Sequence, residues 1–211
     1  MWGELMVKRQ QARFVKIILT AAFAVTVLAL AGCGSSSTAS KTSSTTPANG
    51  STAMANLTVA ESSLSTMAPD AKLLVVQTAE GVAPTATPVW AYLFGSPSTD
   101  KTYVVYAGAG KSMGAQEYGT AGLSKDDWSK VPTSDGWKID SDSAYTKAFA
   151  VSSAKSDPSQ YYMYFLTYKP STDTSTVEPF VWNIQFDPGE SGATTNTITV
   201  DAKTGETAVS K

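Results

Sequence analysis

The chain of 211 residues contains no histidine, a single cysteine and few charges, with 16% of residues charged against 42% hydrophobic. Each shortage removes a class of chemistry. Without histidine there is no imidazole to take a proton from a serine or cysteine nucleophile. Gly110-Lys111-Ser112-Met113-Gly114 has the spacing of a nucleophile elbow, but its serine has no such base. The end of that stretch is also spelled like a phosphate loop, yet Val105 stands where the first glycine belongs. Ser152-Ser153-Ala154-Lys155 repeats the Ser-x-x-Lys spacing of penicillin-binding enzymes without their other motifs, and reads as a solvated helix end. Zinc has no suitable ligand set. The acidic groups at Asp140/Asp142, Asp126/Asp127 and Asp187/Glu190 lack the glycine and distal glutamate of a calcium loop, and helix capping and turn formation explain them. The sequence therefore predicts no catalytic residue, no metal and no cofactor.

What is present begins with a leader. Lys8, Arg9, Arg13 and Lys16 precede an apolar run from Ile17 to Leu30, about 14 residues where a spanning helix needs about 20. The run ends in Leu30-Ala31-Gly32-Cys33, which resembles the lipobox of bacterial lipoprotein signal peptides. That resemblance implies cleavage before Cys33, acylation of its thiol, and a protein lipid-anchored on the outer face of the bacterial cytoplasmic membrane or at the cell surface. The sole thiol is then consumed and no disulfide forms. Removing residues 1–32 takes away four basic residues and one acid, which leaves 12 Lys+Arg against 17 Asp+Glu, a net of −5. Such a balance argues against nucleic acid as a partner and leaves lipid, rather than a basic patch, to hold the chain at an anionic membrane. Residues 33–55 read as the lipidated cysteine and a Ser/Thr-rich tether.

Order is expected from about Asn56. Thr58-Val59-Ala60-Glu61 has the spacing of a capping box, followed by an apolar stripe of Ala60, Leu64, Met67 and Ala68 that Pro69 stops. Leu73–Val76, Val89–Phe94 and Thr102–Ala107 read as strands. Residues 112–136 read as a connector holding one short helix, capped by Ser124 and closed by Val131-Pro132. A helix–strand–strand–strand order then recurs. Ser141 is expected to cap a helix to about Ser153 that buries Ala144, Tyr145, Ala148, Phe149 and Val151. Gln160–Tyr168 reads as an aromatic strand, and Val181–Phe186 and Thr197–Val200 as a hairpin with Trp182, Ile184 and Phe186 on its apolar face. Laid on each other, Val89-Trp90 falls on Val181-Trp182, Phe94 on Phe186, and Val105–Gly110 on Val200–Gly205, an internal repeat.

The helix opening at Trp137-Lys138-Ile139-Asp140-Ser141-Asp142-Ser143-Ala144 and the closing Ile198-Thr199-Val200-Asp201-Ala202-Lys203-Thr204-Gly205-Glu206 make residues 137–206 resemble a PepSY domain. Residues 56–111 look like a degenerate copy, with Tyr106 where the acid should stand and Lys111 in place of Glu206. The resemblance implies an α+β fold of two tandem units, 56–111 and 137–211, each a helix packed on an antiparallel three- or four-stranded sheet. It also implies a non-catalytic module that binds or restrains peptidases or cell-wall enzymes. The alternative is a surface lipoprotein whose aromatic sheet face binds a glycan or peptide. The dense aromatics Trp90, Tyr92, Tyr103, Tyr161, Tyr162, Tyr164, Tyr168 and Trp182 are expected to be mostly core.

Overall fold

The first helix, α1, spans Ala53–Leu64 and buries Ala53, Asn56, Leu57, Ala60 and Leu64, one stripe at helical spacing. In this computed structural model, residues 51–83, 86–133, 136–152, 160–170, 173, 175, 177–187 and 197–210 are described. Thr52 caps α1, its hydroxyl accepting from the Ala55 amide at 3.3 Å. The capping box read at Thr58 is therefore misplaced by six residues. Thr58 lies within the helix, where its carbonyl accepts from Ser62 Oγ. Because Ala53 is fully buried, the fold begins before Asn56 and takes in Ser51–Ala55, which the sequence assigns to the tether. Of the expected stripe, Ala60, Leu64 and Ala68 are buried and Met67 is exposed.

Four strands follow, β1 Lys72–Thr78, β2 Trp90–Ser96, β3 Lys101–Gly108 and β4 Lys111–Thr120. The short helix α2, Lys125–Lys130, is capped by Ser124 as expected, through a box closed reciprocally with Asp127, and ends at Val131. Helix α3 covers Ser141–Val151, and the remaining strands are β5 Gln160–Leu166, β6 Val181–Asp187, β7 Thr197–Asp201 and β8 Thr207–Ser210. The connector read over 112–136 thus contains most of β4. Its alternation is illegible because nearly every side chain of this edge strand is exposed. The β3–β4 turn is two residues, Ala109 and Gly110, both at positive φ (51° and 73°), the conformation a tight hairpin demands.

All eight strands form one antiparallel sheet in the order β4-β3-β2-β1-β5-β6-β7-β8. A helix followed by a four-strand meander occurs twice along the chain. The two meanders join where β1 pairs β5, Val75 opposite Leu166 and Gln77 opposite Tyr164. The architecture is α+β, but with one continuous sheet rather than two separate ones.

Both long helices share one core, against Trp90, Tyr92 and Phe94 of β2 and Trp182, Ile184 and Phe186 of β6. Trp182 is 0% exposed, as the alternation predicts, and packs with its ring centroid 4.8 Å from Phe165, 5.7 Å from Trp137 and 6.1 Å from Trp90. On α3, Ala144 and Ala148 are fully buried, whereas Val151 is 45% exposed and does not reach the core. Val151 is the last helical residue, and Tyr145 and Phe149, both partly buried, pack against the core 5.6 and 5.8 Å from the Phe186 ring.

The helix starts meet. Trp90 Nε1 donates to the Ser51 carbonyl and Trp182 Nε1 to the Ile139 carbonyl, both at 2.8 Å. Each acceptor lies two residues ahead of its helix. The Ala53 amide of α1 donates to Ser141 Oγ (2.9 Å) and the Met54 amide to Asp140 Oδ1 (3.0 Å). Asp140 is the cap of α3, one residue earlier than expected, and Ser141 lends its hydroxyl to the other helix. Amides that a helix end leaves unpaired are thus satisfied by the opposite half of the chain.

Candidate binding face

The core occupies one side of the sheet, so alternate residues point to the other. Following the register across seven strands, Tyr106, Ala91, Gln77, Tyr164, Asn183, Thr199 and Ala208 stand opposite one another in an unbroken row. A second row pairs Tyr162 with Gln185 and Gln185 with Thr197. None of these residues is charged. At one end the face is closed by α2, whose Trp128 ring lies over Gly95. A Cβ there would stand 2.5 Å from the ring, so only glycine permits the approach. Lys72 Nζ fixes that lid to the sheet by donating to the Trp128 and Val131 carbonyls at the helix C-terminus (3.0 and 3.1 Å). Tyr168 ties it from the far side, donating to Asp127 Oδ1 at 2.5 Å.

Tyr162 is 38% exposed and Gln185 is exposed. The Tyr162 hydroxyl lies against Gly81, where a Cβ would sit 2.7 Å from Oη and 2.1 Å from Gln160 Oε1. Gln185 Nε2 donates to Thr197 Oγ1 at 3.2 Å. Of the aromatics singled out in the sequence, Trp90, Tyr92, Tyr103, Tyr161 and Trp182 belong to the core, and Tyr162 and Tyr164 to the opposite face. Alternation in Val181–Phe186 already sets Asn183 and Gln185 on that side, whereas sequence reading passes over Tyr106 and Gln77 as residues of this face, although the alternation of β3 and β1 would have set them there.

The other sequence candidates resolve into architecture. Gly110 and Ser112 belong to the β3–β4 hairpin rather than to the strand–turn–helix that a nucleophile elbow requires. Asp126 and Asp127 lie in the first turn of α2, and Asp140 and Asp142 at the start of α3. Among the described residues no three of His, Cys, Asp and Glu gather as metal ligands, and no helix is long and apolar enough to cross a membrane. The closing motif is a turn. Asp201 Oδ1 accepts the Lys203 and Thr204 amides (2.7 and 2.8 Å), which holds its carboxyl below the usual range, and Gly205 takes φ 77°. Buried Ala202 then accepts the Lys138 and Ile139 amides, tying this turn to the approach of α3. Cys33, Lys155, Glu190 and the side chain of Asp187 lie outside the described residues.

Three core-side or sheet tyrosines carry a pH dependence. Burial, with the Asp140 charge adding to it, holds the Tyr92 hydroxyl far above its ordinary value. Burial does the same for Tyr164, beside Asp173, and pushes Tyr161 up to about 12. The unfolded chain ionises these groups near pH 10 while the fold keeps them protonated, so the folded state binds more protons and stability falls as pH rises past 10. The slope approaches about 1.4 kcal/mol per pH unit for each tyrosine. A melting temperature that declines steeply above about pH 10, with the phenolate absorbance of these three tyrosines appearing only on unfolding, is the expected result. Phenolate signal from these groups in a still-folded protein would contradict it.

No protein-family model matches the chain, nor does any curated protein sequence. Among solved structures, the crystal structure of a "putative lipoprotein" from Clostridium difficile 630 is similar at 13% identity, over 67% of this chain and 83% of that one. Its TM-score of 0.41 is too low to argue from. The PepSY resemblance therefore rests on the sequence of residues 137–206.

Proposed function

We propose that the protein is a non-catalytic, lipid-anchored binding module of the bacterial cell envelope, built as two tandem PepSY-like units. The observation that carries the anchoring is the sole cysteine at the end of Leu30-Ala31-Gly32-Cys33, after a basic segment and a short apolar run. The two-unit reading is supported by the twin indole bonds, Trp90 to Ser51 and Trp182 to Ile139, at equivalent places ahead of α1 and α3. A chain without histidine whose motif-like serines lie in a hairpin and at a helix end suits binding rather than catalysis. Two or more acyl chains, at about 0.8 kcal/mol per buried CH₂, suffice for stable attachment.

Cys33→Ala is expected to abolish lipid labelling and leave the leader uncleaved. Metabolic labelling with a fatty acid and detergent-phase partitioning read both. Labelling equal to that of the wild type would sink the anchor. Crosslinking in the intact envelope followed by pull-down tests the module itself, and peptidases or cell-wall enzymes are the partners expected.

A further inference from the structure

The row that crosses the sheet from Tyr106 to Thr199 has a chemistry that narrows its ligand. It holds two phenol rings, two amide side chains and a hydroxyl, none of them charged at neutral pH. The neighbouring row adds another phenol and another amide, Tyr162 and Gln185. Tyr106 and the exposed Tyr162 stand on strands three inter-strand steps apart, at least roughly 14 Å at the usual strand spacing. That distance suits several rings of a linear polymer rather than one small molecule.

Three arguments select among polymers. The backbone amides of a central sheet face are used within the ladder, so a ligand lying there is read by side chains alone. A peptide docking by strand addition would need an edge instead. Phenol faces offer flat apolar area at low entropic cost, and primary amides present both a donor and an acceptor, which matches a ring having one C–H face and a rim of hydroxyls. Finally, neither row supplies a cation for a phosphate or carboxylate, and the chain from Cys33 onward carries a net −5. The end of the Tyr162 ring packs against Gly81 before any ligand arrives, which limits the ordering cost of binding.

We propose that this face, centred on Tyr162, Gln185, Gln77 and Tyr106, binds a neutral polysaccharide strand. This rests on the reading of the protein as a binding module and gives that module its ligand class. The full chain, solubilised in non-ionic detergent, is run through native gels cast with a neutral β-glucan, a mannan or a galactan, and with polygalacturonate as the anionic control. At least one neutral polymer should retard it, with no loss at high salt. Tyr162→Ala should weaken retardation about tenfold. Because Tyr162 is exposed, its melting temperature should stay at the wild-type value, and Gln185→Ala offers a second exposed variant.

Passage unretarded through all three neutral polymers overturns the proposal. So does retardation that Tyr162→Ala and Gln185→Ala leave unchanged, retardation by polygalacturonate alone, or Tyr162-dependent capture of a peptide library with no glycan bound. Envelope crosslinking separates the two levels. A specific protein partner found without glycan retardation removes the glycan and keeps the module, whereas neither result removes both.

Discussion

Trp182→Ala should leave the protein unable to hold its fold at physiological temperature. Truncating a buried tryptophan costs about 3–5 kcal/mol, and here the indole is wedged among Trp90, Trp137 and Phe165 with no exposed surface. The change also takes the donor from the Ile139 carbonyl, an added penalty of about 1–3 kcal/mol for an acceptor left unmet. Together these rival the 5–15 kcal/mol that typically stabilises a whole domain. Trp182→Phe keeps most of the packing and loses the hydrogen bond, so it should melt between the two. Thermal melts followed by circular dichroism read the series. A Trp182→Ala protein melting within a few degrees of the wild type would place this ring outside the structural centre.

A chain beginning at Asn56 should fail in the same way, while one beginning at Ser51 should melt like the full protein. Five residues separate them, and they end four interactions with the rest of the fold. Ser51 accepts from Trp90 Nε1, Ala53 accepts from the Tyr92 hydroxyl at 2.6 Å, and the Ala53 and Met54 amides donate to Ser141 and Asp140. Without them two buried donors of β2 lose their acceptors, each at about 1–3 kcal/mol, and the loss of the Thr52 cap adds about 1 kcal/mol. Limited proteolysis and melting of the two proteins compare them directly. A cooperative melt from the chain starting at Asn56 would show that the meeting of the helix starts is dispensable.

The sequence disclosed the parts of this fold that alternate. Trp182, Ile184 and Phe186 are buried because their strand is flanked on both sides, and flanked strands carry an apolar face that spacing reveals. β4 escaped notice because an edge strand has little to bury, and Lys111–Thr120 is nearly all exposed. The spacing points to Thr58 rather than Thr52 because Thr58 is followed three residues on by Glu61 and Thr52 by Ala55, whereas the bond of the Ala55 amide to the Thr52 hydroxyl and the burial of Ala53 mark the true start. The union of the meanders left no mark at all. Gln77 and Tyr164 face one another across it, and neither residue type announces a pairing between distant strands. The candidate face was half visible. Its tyrosines stood out in composition, but their division between core and open side needed the register.

Sheets with two free edges invite their copies to zip together, and a surface that confines proteins to a plane raises their encounter rate. The edge strands here are ill-suited to such zipping. β4 slips register against β3 at two places, carries Gly114 at φ 103°, and sets a Lys101–Glu117 ion pair of 2.7 Å on its margin. β8 offers only Thr207–Ser210. An incoming strand meets a bent template on one side and a four-residue one on the other, so the crowding that the proposed lipid anchor would bring does not by itself turn this protein into a fibre.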